Sequence, residues 1–192
     1  YQAQNALMAA ALAFTAAVIW IESFRALGAI ELPAESGDAY PPATAIVAAY
    51  LPNEAATIVD TVTHLLRQDY PGTFQVILAY NTPQRLPIED TLDELAARDA
   101  RLLLLRVETS TSKAQNVNAA LAYVRGEFVG IFDADHHLAQ GSFSRAWRWL
   151  SDGYDVVQGR CVGRNGDASW GARMIAVEFE VLKLLQQVVD IA

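Results

Sequence analysis

The stretch Phe128–His137, FVGIFDADHH, decides the fold. Its first residues are apolar or glycine without alternation, and two carboxylates one residue apart close the run. A strand that is apolar on both faces belongs in a parallel sheet covered by helices on each side. Ligands of such sheets bind beyond the carboxyl ends of the strands, where Asp133 and Asp135 emerge. The chain is expected to turn there, at the end of the strand, where both acids can serve one ligand. Oxygen-only donors suit Mg²⁺ or Mn²⁺, which keep waters and accept diphosphate oxygens to complete six-fold coordination. His136 and His137 follow at once. Adjacent histidines diverge on most backbones, so they read as groups that shape the loop or line it rather than as a zinc site.

Working outward, three more apolar runs match this one: Ala43–Ala49, Phe74–Ala79 and Arg101–Val107. Asp155–Gly159 reads as a further strand. Helical spacing falls between them, at Ala55–Gln68, Ile88–Ala97, Ser112–Val124 and Ser142–Leu150, and Gly171 to the chain end reads as another helix. Asn53 is placed to cap the first of these, and its stripe is Ile58, Val62, Leu65 and Leu66. The acids of Ile88–Ala97 read as a solvated face. Ala114, Val117, Leu121 and Val124 are the expected inner face of Ser112–Val124. Arg145, Trp147, Arg148 and Trp149 read as core plus solvated face, and His64 as an ordinary helix histidine. Strands alternating with helices give an α/β domain with a mostly parallel sheet. Every polar motif ends a strand or begins a helix: Tyr50–Glu54, Tyr80–Thr82, the turn before Lys113, and Asp133–His137.

Lys113 merits attention because only Lys113 and Lys183 are lysines among 14 basic residues. It opens a helix in Ser112–Asn118, SKAQNVN, and a helix amino end attracts phosphate. Asn116 and Asn118 are poor helix-interior choices unless their amides find partners. Arg160, with Arg164 and Asn165, reads as a further phosphate or sugar contact, or as a surface ion pair. With 22 acidic residues and a net charge of −8, the chain lacks the basic footprint of a nucleic-acid binder. An acidic protein handling a diphosphate needs a metal bridge. One cysteine, Cys161, excludes an internal disulfide and a four-cysteine zinc site. No P-loop or dinucleotide fingerprint is present.

The first 21 residues carry no charge, and Ala6–Ile21 is apolar apart from Thr15. This predicts an apolar N-terminal helix over 1–31 that touches or crosses a bilayer, with Trp20 at the interface, a buried Ala-rich helix being the alternative. A Pro- and Gly-containing linker, 32–42, separates it from a domain over 43–170, and 171–192 forms a last helix.

Taken together, ATAIVAAYLPNEA, FQVILAYNTP, SKAQNVNAAL and FVGIFDADHH resemble the family-2 glycosyltransferases of GT-A fold, a Rossmann-like nucleotide-sugar-binding architecture. The likeness is nearest to membrane-bound processive synthases of cellulose, hyaluronan and chitin, over about residues 43–165. The resemblance implies transfer of a sugar, with inversion, from a nucleotide sugar such as a UDP-sugar to a glycan or lipid acceptor, aided by Mg²⁺ or Mn²⁺. It implies Tyr50 against the base with Glu54 beside it, Lys113 near the diphosphate, and Asp133 and Asp135 holding ribose or sugar and metal. Asn81 stands where the family has an Asp that meets the base. It further implies a cell-membrane location with the catalytic domain on the cytoplasmic side, and membrane-protein partner subunits.

The family's general base and acceptor motifs lie beyond the DxD by on the order of 100 residues, and Glu178, Glu180 and Asp190 do not match them. The chain should therefore bind donor while transferring sugar poorly. Ile175, Phe179, Leu182 and Val189 would form an apolar stripe that needs a cover. Two other functions compete: a sugar nucleotidyltransferase, whose Gly- and Arg-rich loop after the first strand is missing from Ala48–Glu54, and a non-catalytic scaffold module of a membrane assembly.

Overall fold

A computed structural model describes residues 2–26, 32–35, 37 and 39–159. Two compact units result, one with the N-terminal helix and one spanning Leu32–Val157. In the first, α1 (Gln2–Ala26) is helical along the whole charge-free run, and its apolar side chains, among them Leu7, Leu12 and Phe14, are exposed. The expected membrane crossing is not supported: among the described residues no helix is long and apolar enough to cross a membrane.

The second unit runs β1 (Ala43–Tyr50), α2 (Leu51–Glu54), α3 (Ile58–Leu66), β2 (Phe74–Asn81), α4 (Ile88–Arg98), β3 (Leu102–Arg106), α5 (Lys113–Leu121), β4 (Phe128–Asp133) and α6 (Ser142–Ser151). The sheet is parallel throughout, in the order β3-β2-β1-β4. The order reverses between β1 and β4, and this switch point is where open α/β sheets place their ligands. The registers Tyr50↔Asn81 and Ala48↔Asp133 end β1 and β2 level and β4 two residues short of them.

Alternate residues of the apolar strands feed two cores. Ala45 and Val47 of β1 with Val76 and Leu78 of β2 pack under α3, α4 and α6 through Ile58, Val62, Leu65, Leu92 and Phe143. Ile46, Ile77 and Ala79 face the other way, under α5 through Ala120 and Val117. Phe143 packs edge-on against Phe74 at 4.7 Å, and Trp147 stacks on Phe128 at 6.0 Å. The outer face of the same helix holds Arg148, whose Nε donates to the Pro33 carbonyl.

At the amino ends of the strands, Gly126 lies so close to β1 that a Cβ there would meet the Thr44 nitrogen at 2.6 Å. Its N–H donates to Thr44 Oγ1, which donates to Gln75 Oε1. This buried polar tie fixes where β4 begins beside β1.

Four expectations need correction. Ala55–Gln68 is helical only over Ile58–Leu66: Ala55–Thr57 is a turn between α2 and α3, and Asn53 lies within α2 instead of capping α3. The stripe Ile58, Val62, Leu65 and Leu66 is buried as expected. The inner face of α5 is rotated, because Asn116 is buried while Ala114 and Leu121 are exposed. A hydrogen-bonded amide occupies the position that apolar spacing assigned to methyl groups. Asp155–Gly159 forms no strand, and Val156 stands exposed. The face of α4 is not wholly solvated, since Glu89 is buried. Arg160, Cys161, Arg164, Asn165 and the helix expected from Gly171 lie outside the described residues.

Candidate active site

A cleft of about 900 Å³ opens at the switch point. Tyr50, Glu54, Asn81, Lys113, Asp133 and Asp135, the residues singled out in the sequence, all line it. Tyr50, Asn81 and Asp133 end three strands, Lys113 begins α5, Glu54 ends α2 and Asp135 lies in the turn after β4. Tyr50 ends β1 and lines the cleft, with 44 % of the residue exposed.

The acidic turn is built from below. Ala134 is buried between its two acid neighbours, and its carbonyl accepts from Thr61 Oγ1 of α3 at 2.7 Å. The His136 N–H donates to the Asp133 carbonyl at 3.1 Å, closing a turn directly after β4. The chain therefore bends where both carboxylates must reach one space. Nδ1 of His136 accepts from the Asp133 N–H at 3.4 Å, and its Nε2 lies 3.6 Å from Asp133 Oδ2. That ring braces the turn. His137 points elsewhere: it stacks on His64 with centroids 4.6 Å apart and sets Nε2 3.0 Å from Asp60.

Facing the turn, α5 begins at Lys113. Ser112 is its N-cap, with Oγ accepting from the Gln115 N–H, while Gln115 Oε1 accepts from the Thr111 N–H. Lys113 Nζ bonds Asp133 Oδ1 across the cleft. One turn further on, Asn116 Nδ2 donates to the Ala49 carbonyl at 3.1 Å and to Asn81 Oδ1 at 2.9 Å. Asn81 Nδ2 donates in turn to the Ser110 carbonyl at 3.0 Å. The amide at the end of β2 thus ties the β3–α5 loop to the sheet, and both of its polar atoms have partners within the protein.

Sequence reasoning pointed to the Tyr80–Thr82 strand end and the turn before Lys113 without singling out Thr82, Glu108, Ser110 or Thr111, which line the cleft. They sit in loops without periodicity, and a single acid among Ser and Thr carries no distinguishing pattern. It also missed Glu89, an acid buried in the first turn of α4. Its Oε1 accepts from the Tyr80 hydroxyl at 3.0 Å and its Oε2 from the Leu86 N–H at 2.7 Å. Burial, then the hydrogen bond to Glu89, pushes the Tyr80 hydroxyl up to about 12.

The donor set suits a metal in one particular way. Among the described residues no group of three or more His, Cys, Asp or Glu could hold an ion. A transition-metal site of three protein ligands is therefore not formed there. Two carboxylates on a turn match Mg²⁺ or Mn²⁺, which bind through one or two acids and take remaining oxygens from phosphate and water.

A family model, glycosyl transferase family 2, matches residues 44–188. The chain belongs to that family. The mannosyltransferase PcManGT from Pyrobaculum calidifontis, solved with GDP-Man and Mn²⁺, is similar at 29 % identity and TM-score 0.66 over 84 % of this chain and 47 % of its own. S. aureus TarS shares the fold at 22 % identity and TM-score 0.50, over 65 % of this chain and 23 % of its own. The family 2 chain thus spans about half the length of the first and a quarter of the second. No curated protein matches it. The sheet and its flanking helices are GT-A-like, and the match reaches the family without singling out its processive synthases.

Proposed function

We propose that this family 2 domain binds a nucleoside diphosphate sugar together with Mn²⁺ or Mg²⁺, and presents the anomeric carbon to an acceptor hydroxyl for transfer with inversion. The observation carrying this reading is the convergence of Tyr50, Lys113, Asp133 and Asp135 on one cleft at the switch point. Tyr50 offers its ring to the base. Lys113, at the amino end of α5, offers an ammonium and a helix terminus to the diphosphate. Asp135 is assigned to the metal, and Asp133 to ribose or sugar with a share in the metal. When bound, the metal neutralises charge building on the departing diphosphate.

A uridine donor was expected from the sequence. The GDP-Man held by the mannosyltransferase at 29 % identity favours a guanosine donor as a second reading. Glu54 and Glu108 line the cleft, and either can accept an N–H of uracil or guanine. The base that deprotonates the acceptor is not assigned; Glu178, Glu180 and Asp190 lie outside the described residues.

The acceptor is read as a glycan or lipid, and the reaction is placed at the cytoplasmic side of the cell membrane. The exposed apolar side chains of α1 support contact with a membrane surface, whichever side it is. Removing residues 1–26 should then abolish sedimentation with lipid vesicles. The donor reading is tested by titrating UDP-glucose, UDP-N-acetylglucosamine and GDP-mannose by calorimetry with and without Mn²⁺. Metal-dependent binding of at least one is expected; none would return the chain to the scaffold alternative.

A further inference from the structure

Of the residues lining the cleft, four carry carboxylates (Glu54, Glu108, Asp133 and Asp135) and one, Lys113, a cation. That cation is spent inside the protein, on Asp133 Oδ1. The pair spans the cleft from the first residue of α5 to the last of β4. Both side chains stay half exposed, at 52 % and 47 %, so the bond can open without unpacking anything. One oxygen of Asp133, an acid that could share in holding a divalent cation, is thereby taken by a positive charge.

We infer that Lys113 acts as a counter-ion switch, so that metal and nucleotide bind interdependently. This rests on the donor reading above. With no diphosphate present, the ammonium competes with the metal for Asp133 and repels it electrostatically. A diphosphate is the stronger partner for Lys113, through a charge-assisted bond at a helix amino end. Drawing Lys113 onto the phosphates frees that Asp133 oxygen and removes the positive charge from it. The converse follows by linkage: metal bound at the acids releases Lys113 toward phosphate, and each ligand strengthens the other by the same factor. An acidic cleft that took up free metal ions readily would lose this ordering.

The prediction has opposite signs for the two ligands, which a loss of structure cannot mimic. Mn²⁺ alone is titrated into the full chain, following the free-ion signal by electron paramagnetic resonance, and UDP and GDP are titrated calorimetrically at saturating Mn²⁺. Lys113→Met should bind Mn²⁺ alone about fivefold tighter than the parent, the size of one exposed ion pair. It should bind nucleotide on the order of tenfold weaker. Lys113→Arg, which keeps the charge, should hold Mn²⁺ as the parent does. If Lys113→Met binds Mn²⁺ no tighter while the parent still shows Mn²⁺-dependent nucleotide binding, the switch is overturned and the donor reading stands. A parent that binds neither nucleotide with Mn²⁺ overturns the donor reading, and the switch with it.

Discussion

Two acid-bearing turns leave the same edge of the sheet and come to opposite ends. After β2 the chain turns through Thr82–Pro87 into α4 and buries Glu89 to 2 % exposure. After β4 it turns through Ala134 and leaves Asp133 with 47 % of its side chain exposed. Glu89 is encircled by donors: the Tyr80 hydroxyl, the Leu86 N–H and, at 3.7 Å, the Arg106 guanidinium. Asp133 and Asp135 instead have their backbone fixed, by Thr61 and by the His136 N–H, while their oxygens face the cleft. A carboxylate satisfied in the interior is fixed; Asp133 keeps only the exposed Lys113 ammonium and the His136 ring at its oxygens, partners that a ligand can displace. The side chains with shifted titration, Tyr70, Tyr80, Arg85, Asp99 and Arg101, all lie off the cleft lining.

The sharpest way to break this comparison is to exchange the expected effects. Asp135→Ala should abolish Mn²⁺-dependent nucleotide binding, a loss of at least ~100-fold, since even outer-shell partners of a metal typically cost 10–100-fold. Its melting temperature should stay within about 2 °C of the parent, because an exposed turn residue carries little packing. Calorimetry and thermal melts on one sample separate the two. A variant that melts early but binds normally would make this acid structural.

Glu89→Ala should do the reverse. It strands a buried hydroxyl and a backbone N–H and leaves a hole between α4 and β2. About 2–3 kcal/mol of stability should be lost in urea unfolding. Nucleotide affinity at temperatures where the variant is folded should fall far less than in Asp135→Ala. A cost under about 0.5 kcal/mol would show that water satisfies those donors.

The sequence made one of these turns legible and hid the other, for a physical reason. Asp133 ends an unbroken apolar strand, and two acids in that position cannot both be buried without partners. Tyr50 and Lys113 were legible on the same ground, each marking where an apolar run stops or a capped helix starts. Glu89 sits in a helix with Asp90, Asp93 and Glu94, so its spacing reads as one more solvated acid. What buries it is a tyrosine nine residues earlier and a loop fold that only three-dimensional closure brings near. Asn116 was half legible: its unsuitability for a helix interior announced partners, but that they were Ala49 and Asn81 needed the register of β1 and β2. Asp155–Gly159 has strand composition and no strand, since pairing depends on what lies alongside rather than on propensity.

A smaller effect sharpens the comparison at the acidic turn itself. Thr61→Val keeps the shape of a buried β-branched residue but removes the donor to the Ala134 carbonyl. Stability should fall by about 1 kcal/mol. Mn²⁺·nucleotide affinity should drop several-fold as well, because the turn that aligns both acids is no longer pinned from α3. Loss of stability with unchanged affinity would mean that the His136 bond alone sets the turn.

Asp99 lies between the two classes and gives the smallest effect. It follows α4, its side chain is 24 % exposed, and it accepts from Arg101 at 2.6 Å and 3.0 Å. Those hydrogen bonds, against some desolvation, hold its carboxyl below the ordinary value of 3.8. A carboxyl depressed in the folded state contributes stability that is fully present above its unfolded pKa and is lost as pH falls through the folded one. Arg101 is 43 % exposed, so solvent screens the pair and its worth is at most about 1 kcal/mol. Asp99→Asn should therefore unfold slightly earlier than the parent in urea at pH 7. The gap should narrow below roughly pH 4, as the parent's own carboxyl takes up its proton. A difference that persists undiminished to pH 2 would assign the effect to the backbone turn, through the Asp99 bond to the Arg101 N–H, rather than to charge.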